Sequence, residues 1–241
     1  MLRTIYAFLA AFLVTIPSGT AVMVIALVRS TSPLIDVVIH FWARTLVAAA
    51  GIDLRRENLE QLDGDGRYVL VANHHSYFDI PCILAAVRQP VRFMAKASLF
   101  KIPIFGWALS QAGFIPIDRK DRRKAVKSFD LAAERIRKGN TIAVFPEEGR
   151  TATRELRPFQ RGAFLLAIKS GLPVVPLAVA GTYDVFPVGA WRIRPGIVTV
   201  KGGEQIVTET MTVRDKERLA QESKSQIEGM LGSAGENRIG Q

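Results

Sequence analysis

The 241-residue chain has a single cysteine, Cys82. One thiol cannot close an intramolecular disulfide or supply a cysteine zinc cluster, so covalent staples and thiolate-held metals drop out and a reducing compartment is permitted. Histidine is nearly as rare: there are three, and two of them stand side by side in VANHHSYFDIP, Val71 to Pro81. Internal repeats and long linkers are also missing, so the length suits one principal domain with some extra. Acidic residues are outnumbered, 22 against 32 Lys plus Arg, and the net charge of +10 favours anionic partners: nucleic acid, phosphorylated small molecules or anionic lipid. The chain is 49% apolar, yet its 22% charged residues exclude a bundle of many membrane spans.

The apolar residues are unevenly spread. No charged side chain occurs from Ile5 to Val28, a run that as a helix would reach about 36 Å, enough to cross a hydrocarbon core. Pro17, Ser18 and Gly19 interrupt its middle, so a re-entrant pair of half-helices fits as well as a single span. A cleaved signal peptide is a third reading, opposed by the length of the run and the lack of a small-residue cleavage site. SPLIDVVIHFWARTLVAAAG follows, a helix opened by Ser32 and Pro33, with Asp36, His40 and Arg44 on one narrow stripe. That pattern suits an interfacial helix, or a buried one whose polar stripe is satisfied internally. His40 is read as structural. Residues 1–50 are therefore expected to anchor the chain to a membrane. The cations that follow Val28 place the remainder on the cytoplasmic side of the cytoplasmic membrane.

From Arg67 onward short apolar runs alternate with helical patterns, the signature of an α/β domain, expected over 51–231 with a flexible tail at 232–241. Strands are expected at Tyr68–Ala72, Val91–Ala95, Phe114–Ile117, Thr141–Phe145, Val174–Val179 and Ile197–Lys201, with Pro176 weakening the fifth. Helices are expected at Ile80–Val87, Asp121–Lys138, GAFLLAIKSG and Arg214–Leu231. The fold class is a mixed, mostly parallel sheet flanked by helices.

NHHSYFD then occupies the connection at a strand's carboxyl end, where open α/β sheets hold their ligands. Across such a loop His74 and Asp79 can meet, giving an imidazole oriented by a carboxylate and able to act as a general base. The same residues also read as a helix cap, because Ser76 and Asp79 fit the SxxD capping box. A metal site lacks further ligands.

NHHSYFD, GFIPIDR, FPEEGR and VVPLAVAG, in this order, resemble the four blocks of the lysophosphatidic acid (1-acyl-sn-glycerol-3-phosphate) acyltransferase family, over roughly Tyr68 to Thr182. The resemblance implies an O-acyltransferase with His74 as general base, Asp79 as its orienting partner and no serine nucleophile. It implies that Arg119 helps hold the acceptor phosphate, to which a guanidinium offers a planar fork of donors, with Lys96 a second candidate. Arg119 also begins the basic run RKDRRK, which reads equally as a solvated or membrane-facing patch. The third block departs from the family's usual glutamate, glycine, threonine, arginine. Glu147 and Arg150 keep their places, while Glu148 stands where glycine is usual and Gly149 where threonine is usual. Either glutamate could then make the functional contact, and Glu147, Gly149 and Arg150 are taken as substrate-binding. The fourth block supplies shape.

No metal or organic cofactor is implied; the acyl donor would be acyl-CoA or acyl-ACP, and the basic surface suits either acidic donor. The expected acceptor is 1-acyl-sn-glycerol-3-phosphate, with another lysophospholipid or a lyso-ornithine lipid as the alternative. A membrane-bound interaction protein on an inactive acyltransferase fold is opposed by intact His74, Asp79, Glu147 and Arg150. Nucleic acid is not an expected partner, since it would leave the apolar amino terminus unexplained and no reading motif is present.

Overall fold

The structure is a computed structural model that describes residues 1–118, 128, 129, 131, 132, 134, 135, 139–151 and 153–239, the last seven by backbone alone. Its centre is dictated by the runs that are apolar on both faces. β2 (Val69–Ala72) and β5 (Thr141–Val144) are wholly buried and pair in parallel, Val69 opposite Ile142. A strand without a polar face must be covered by helices on both sides. β1 (Ile52–Glu57), β3 (Val91–Lys96), β4 (Ile115–Ile117), β6 (Val174–Ala180) and β7 (Gly196–Gly202) complete a seven-stranded sheet of order β1-β7-β6-β2-β5-β3-β4. Every neighbouring pair is parallel except β6 with β7. The α/β class and the mixed, mostly parallel sheet are as expected from the sequence.

β1 was not foreseen. IDLRRE has no apolar run; it is an edge strand that buries Ile52 while its charged side chains face solvent. Pro176 is accommodated inside β6 because its backbone faces the side where the antiparallel ladder ends. Its carbonyl accepts Gly203 N–H at 2.8 Å, and the next bond on that side is Val174 N–H to Ile206 O. No ladder bond to β2 is lost, so the usual objection to a central proline does not apply.

α3 (Asp79–Ala86), α4 (Phe105–Gln111), α5 (Gly162–Ser170) and the short α6 (Thr182–Val185) cover the sheet. The helix expected over 121–138 lies largely outside the described residues; those described within it are helical. The last helix, α7, runs Lys216–Ile239 and so passes the boundary expected at 231. GSAGENRI contains glycine but no proline, so each residue can still donate to the preceding turn.

The amino-terminal segments form a helical hairpin. α1 is one helix, Leu2–Val28, continuous through Pro17, and not two half-helices. It is long and apolar enough to cross a membrane, and it exposes Ile5, Phe8, Leu9, Phe12 and Leu13 along one side. α2 (Leu34–Ala50) packs against it, with Trp42 Nε1 donating to Thr15 Oγ1 at 3.0 Å. Two members of the polar stripe on α2 turn toward the sheet domain. Asp36 pairs with the buried Arg92 of β3 at 2.6 Å, and the His40 ring lies between the carbonyls of Asp36 and Val87, at 2.8 and 3.0 Å. The hairpin is thus clamped to the sheet domain by polar contacts, while Leu34, Val37 and Phe41 remain exposed.

Candidate active site

β2 ends at Ala72, and Asn73 fastens the departing chain to β6. Its Oδ1 accepts Val179 N–H at 2.7 Å and its Nδ2 donates to Val179 O at 3.0 Å, which extends the β2–β6 ladder by one side chain. NHHSYFD then folds around the carboxylate of Asp79, the first residue of α3, whose side chain is fully buried. Oδ2 accepts three bonds: His74 Nδ1–H at 2.8 Å, His75 N–H at 2.7 Å and Ser76 N–H at 2.8 Å. Oδ1 accepts the hydroxyl of Thr182 at 2.5 Å. Half of the capping-box expectation is realised here, since Asp79 reaches back to Ser76 N–H while Ser76 Oγ accepts Phe78 N–H at 3.2 Å. Cap and dyad are one arrangement, because the same oxygen that caps the turn holds the imidazole.

A donating Nδ1 fixes the His74 tautomer, which leaves the lone pair on Nε2. Nε2 makes no hydrogen bond to any described residue. The ring stacks on Phe145, centroids 4.0 Å apart and 12° from parallel, and the side chain is 13% exposed. Two braces hold the His74 backbone. Its N–H donates to Glu147 Oε1 at 2.7 Å, and its carbonyl accepts Thr151 N–H at 3.2 Å. The neighbouring His75 is buried, its Nδ1 accepting Asn73 Nδ2–H at 3.2 Å, and burial holds its basicity below the ordinary histidine value.

Glu147, expected among the substrate contacts, is 2% exposed and has both oxygens engaged internally: Oε1 by His74 N–H and Oε2 by Arg157 N–H at 2.9 Å. It ties the strand end after β5 to the loop that carries His74. Burial pushes its carboxyl above the usual carboxylate range, opposed by the amides of Arg157 and His74. Gly149 lies at the turn that follows, with Arg157 Nη1 3.4 Å from where a Cβ would stand.

Glu148 occupies the position where the resembled family has glycine, and it adopts φ +54°, the left-handed region that glycine enters without cost. Both substitutions remove the same side chain, so Glu148→Gly should be more stable than Glu148→Val, β-branched in the same conformation, by about 1–2 kcal/mol. Thermal unfolding of the two variants compares them directly. A Glu148→Gly protein less stable than Glu148→Val would contradict the strain argument.

Arg150 sits beside the loop with its guanidinium carbon 3.3 Å from the centroid of the Tyr77 ring. Its Nη1 is buried and has no hydrogen-bond partner among the described residues. Lys96 ends β3 with an exposed side chain that makes no bond to the dyad. Arg119 lies outside the described residues. The structure thus joins His74, Asp79 and Glu147 by hydrogen bonds, sets Gly149 and Arg150 in the turn that follows Glu147, and puts Lys96 at the carboxyl end of β3 without a hydrogen bond to them.

Three residues near the dyad went unread in the sequence. Asn73 precedes the histidines directly, and Phe145 opens the third block. Thr182 follows Gly181, whose φ of +99° turns the chain out of β6 and delivers the hydroxyl to Asp79. An apolar cavity of about 230 Å³ opens beside the loop between the hairpin, α3 and α4, with Trp42, Tyr77, Leu84, Phe93, Ala108 and Phe114 on its wall.

A family model described as Acyltransferase matches residues 53–180. Among curated proteins, the chain is 38% identical over 155 residues to the chloroplastic 1-acyl-sn-glycerol-3-phosphate acyltransferase BAT2 of Brassica napus, covering 63% of this chain and 45% of that protein. It is 34% identical over 207 residues to the 1-acyl-sn-glycerol-3-phosphate acyltransferase CHLREDRAFT_174358 of Chlamydomonas reinhardtii, covering 83% of this chain and 61% of that one. The chain spans about half the length of these plant and algal relatives. In three dimensions it resembles the crystal structure of the 1-acyl-sn-glycerophosphate acyltransferase PlsC of Thermotoga maritima, with a TM-score of 0.80, 26% identity and 95% of each chain covered. The matched residues run from β1 through β6 and so enclose the dyad, Glu147 and Arg150: the chain belongs to the acyltransferase family.

Proposed function

We propose that this protein transfers a fatty acyl group from an acyl thioester, acyl-CoA or acyl-ACP, to the free hydroxyl of 1-acyl-sn-glycerol-3-phosphate, giving phosphatidic acid. The observation that carries the reading is the His74–Asp79 pair, with Nδ1 held at 2.8 Å and Nε2 left as the base. Nε2 takes the proton of the acceptor hydroxyl as its oxygen attacks the thioester carbonyl carbon. The buried carboxylate stabilises the imidazolium that forms. Collapse of the tetrahedral intermediate breaks the C–S bond, and the proton passes from His74 to the departing thiolate. No metal or organic cofactor enters these steps.

The nucleophiles nearest the dyad are committed elsewhere, which favours direct transfer over an acyl-enzyme. Ser76 Oγ donates to Phe186 O at 2.7 Å, Thr182 Oγ1 donates to Asp79, and burial pushes the Cys82 thiol far above its ordinary value. Arg150, with its unfilled donor, is assigned to the acceptor phosphate, and Arg119 to the same task through the family resemblance. The apolar cavity beside the loop would take an acyl chain, each buried methylene contributing about 0.8 kcal/mol. Residues 1–50 would seat the hairpin in the membrane through the exposed side of α1, with the basic domain on the cytoplasmic face.

The test is an acyl-transfer assay on the purified full chain with both thioester donors and a panel of acceptors. The panel includes lysophosphatidic acid, other lysophospholipids and a lyso-ornithine lipid. Lysophosphatidic acid should be the preferred acceptor, and Arg150→Ala should chiefly weaken its use, by about 1.5–3 kcal/mol for a lost charge-assisted bond. Preference for an acceptor without a phosphate monoester, or equal losses for both kinds, would overturn the acceptor assignment.

A further inference from the structure

Tyr77 lies midway along the loop that carries His74, and the residue is 60% exposed, so burial does not explain its place there. The ring has two neighbours of different chemistry. Its face carries the Arg150 guanidinium, 3.3 Å from the centroid, and the residue also lines the apolar cavity. Phe186 steadies it from a further side, centroids 5.9 Å apart at 39°. A long arginine stem loses much rotamer freedom when it binds an anion, and a flat aromatic beneath the guanidinium removes that freedom in advance. Here the preset cation still has Nη1 without a partner among the described residues.

We infer that Tyr77 is a positioning residue for the acceptor: its ring presets Arg150 at the mouth of the apolar cavity, so that a phosphate monoester on Arg150 and an acyl chain in the cavity hold a lysophosphatidate in one register. That register brings the free hydroxyl to His74, because the ring belongs to the same loop as the base. The inference rests on the reading that Arg150 takes the acceptor phosphate. It adds that selectivity for a phosphate monoester depends on an aromatic face at position 77, and not on the tyrosine hydroxyl.

The experiment is steady-state kinetics of the full chain in detergent micelles, with lysophosphatidic acid and acyl-CoA. Tyr77→Phe and Tyr77→Leu are each made on the wild-type and Arg150→Ala backgrounds. Phenylalanine keeps the ring, and leucine keeps an apolar wall without a π face. Tyr77→Phe should hold the acceptor KM within about twofold, and Tyr77→Leu should raise it about fivefold, with kcat and the donor KM little changed. On the Arg150→Ala background, Tyr77→Leu should add no further rise. An equal rise on both backgrounds would reduce Tyr77 to cavity wall, and a Tyr77→Phe protein as impaired as Tyr77→Leu would make the hydroxyl the functional group; either result overturns the inference while leaving Arg150 in place. If Arg150→Ala alone leaves the acceptor KM unchanged, the reading of Arg150 falls, and the inference with it.

Discussion

Alanine at position 74 should lower turnover by about 10² to 10⁴, the usual contribution of a positioned general base. The loss should fall on kcat. Among the described residues the His74 side chain hydrogen-bonds Asp79 alone and stacks on Phe145, while the loop itself is held by backbone contacts that alanine keeps: His74 N–H to Glu147 and His74 O from Thr151 N–H. His75→Ala is the matched control. His75 is equally close in sequence, but it is buried, with its basicity lowered by that burial, and its Nδ1 is directed at Asn73, so its removal costs packing and not proton transfer. Rates for the two variants beside their unfolding temperatures would decide the matter. A His74→Ala protein with near-normal turnover would end the dyad reading.

Asp79→Asn should preserve the fold and still cost about 10² or more in rate. The geometry is unusually favourable for the swap. Oδ2 faces three donors, but among the described residues Oδ1 faces the Thr182 hydroxyl alone, which can rotate from donor to acceptor. An asparagine can therefore turn its carbonyl toward His74, His75 and Ser76 and its amide toward Thr182, which keeps the four contacts and the tautomer but leaves one amide N–H and the Thr182 O–H to find other acceptors. What it cannot supply is the negative charge that stabilises the imidazolium. If Asp79 were only the cap of α3, asparagine would serve nearly as well, since the two cap helices about equally. A folded Asp79→Asn protein with wild-type turnover would assign Asp79 to capping alone.

The parts of this site legible in sequence are those whose partners are close along the chain. His74 and Asp79 meet across one loop, so their spacing and the buried strand before them sufficed. Thr182 reaches Asp79 across 103 residues, and no local pattern announces such a contact. The choice between Glu147 and Glu148 could not be made from spacing, because it depends on backbone conformation: the chain turns left-handed at Glu148, which leaves Glu147 pointing inward to two amides. The buried strands were legible from their apolar runs, whereas β1, with solvent on its charged side chains, carries no such signal. On α2 the spacing of Asp36 and His40 was correct as a stripe but ambiguous as to which way it faced. The ion pair with Arg92 turns it toward the domain, a partner that periodicity cannot name.

Direct proton transfer by His74, without a covalent acyl-enzyme, is the centre of this account. The measurement that bears on it most closely is thiol release from acyl-CoA, followed through the first turnover with and without lysophosphatidic acid. Thiol should appear at the steady rate only when the acceptor is present. The enzyme alone should give no burst, and His74→Ala should release thiol at least about 10²-fold more slowly with both substrates. A burst of thiol stoichiometric with enzyme in the absence of acceptor, accompanied by an acyl adduct in the intact protein mass, would contradict it.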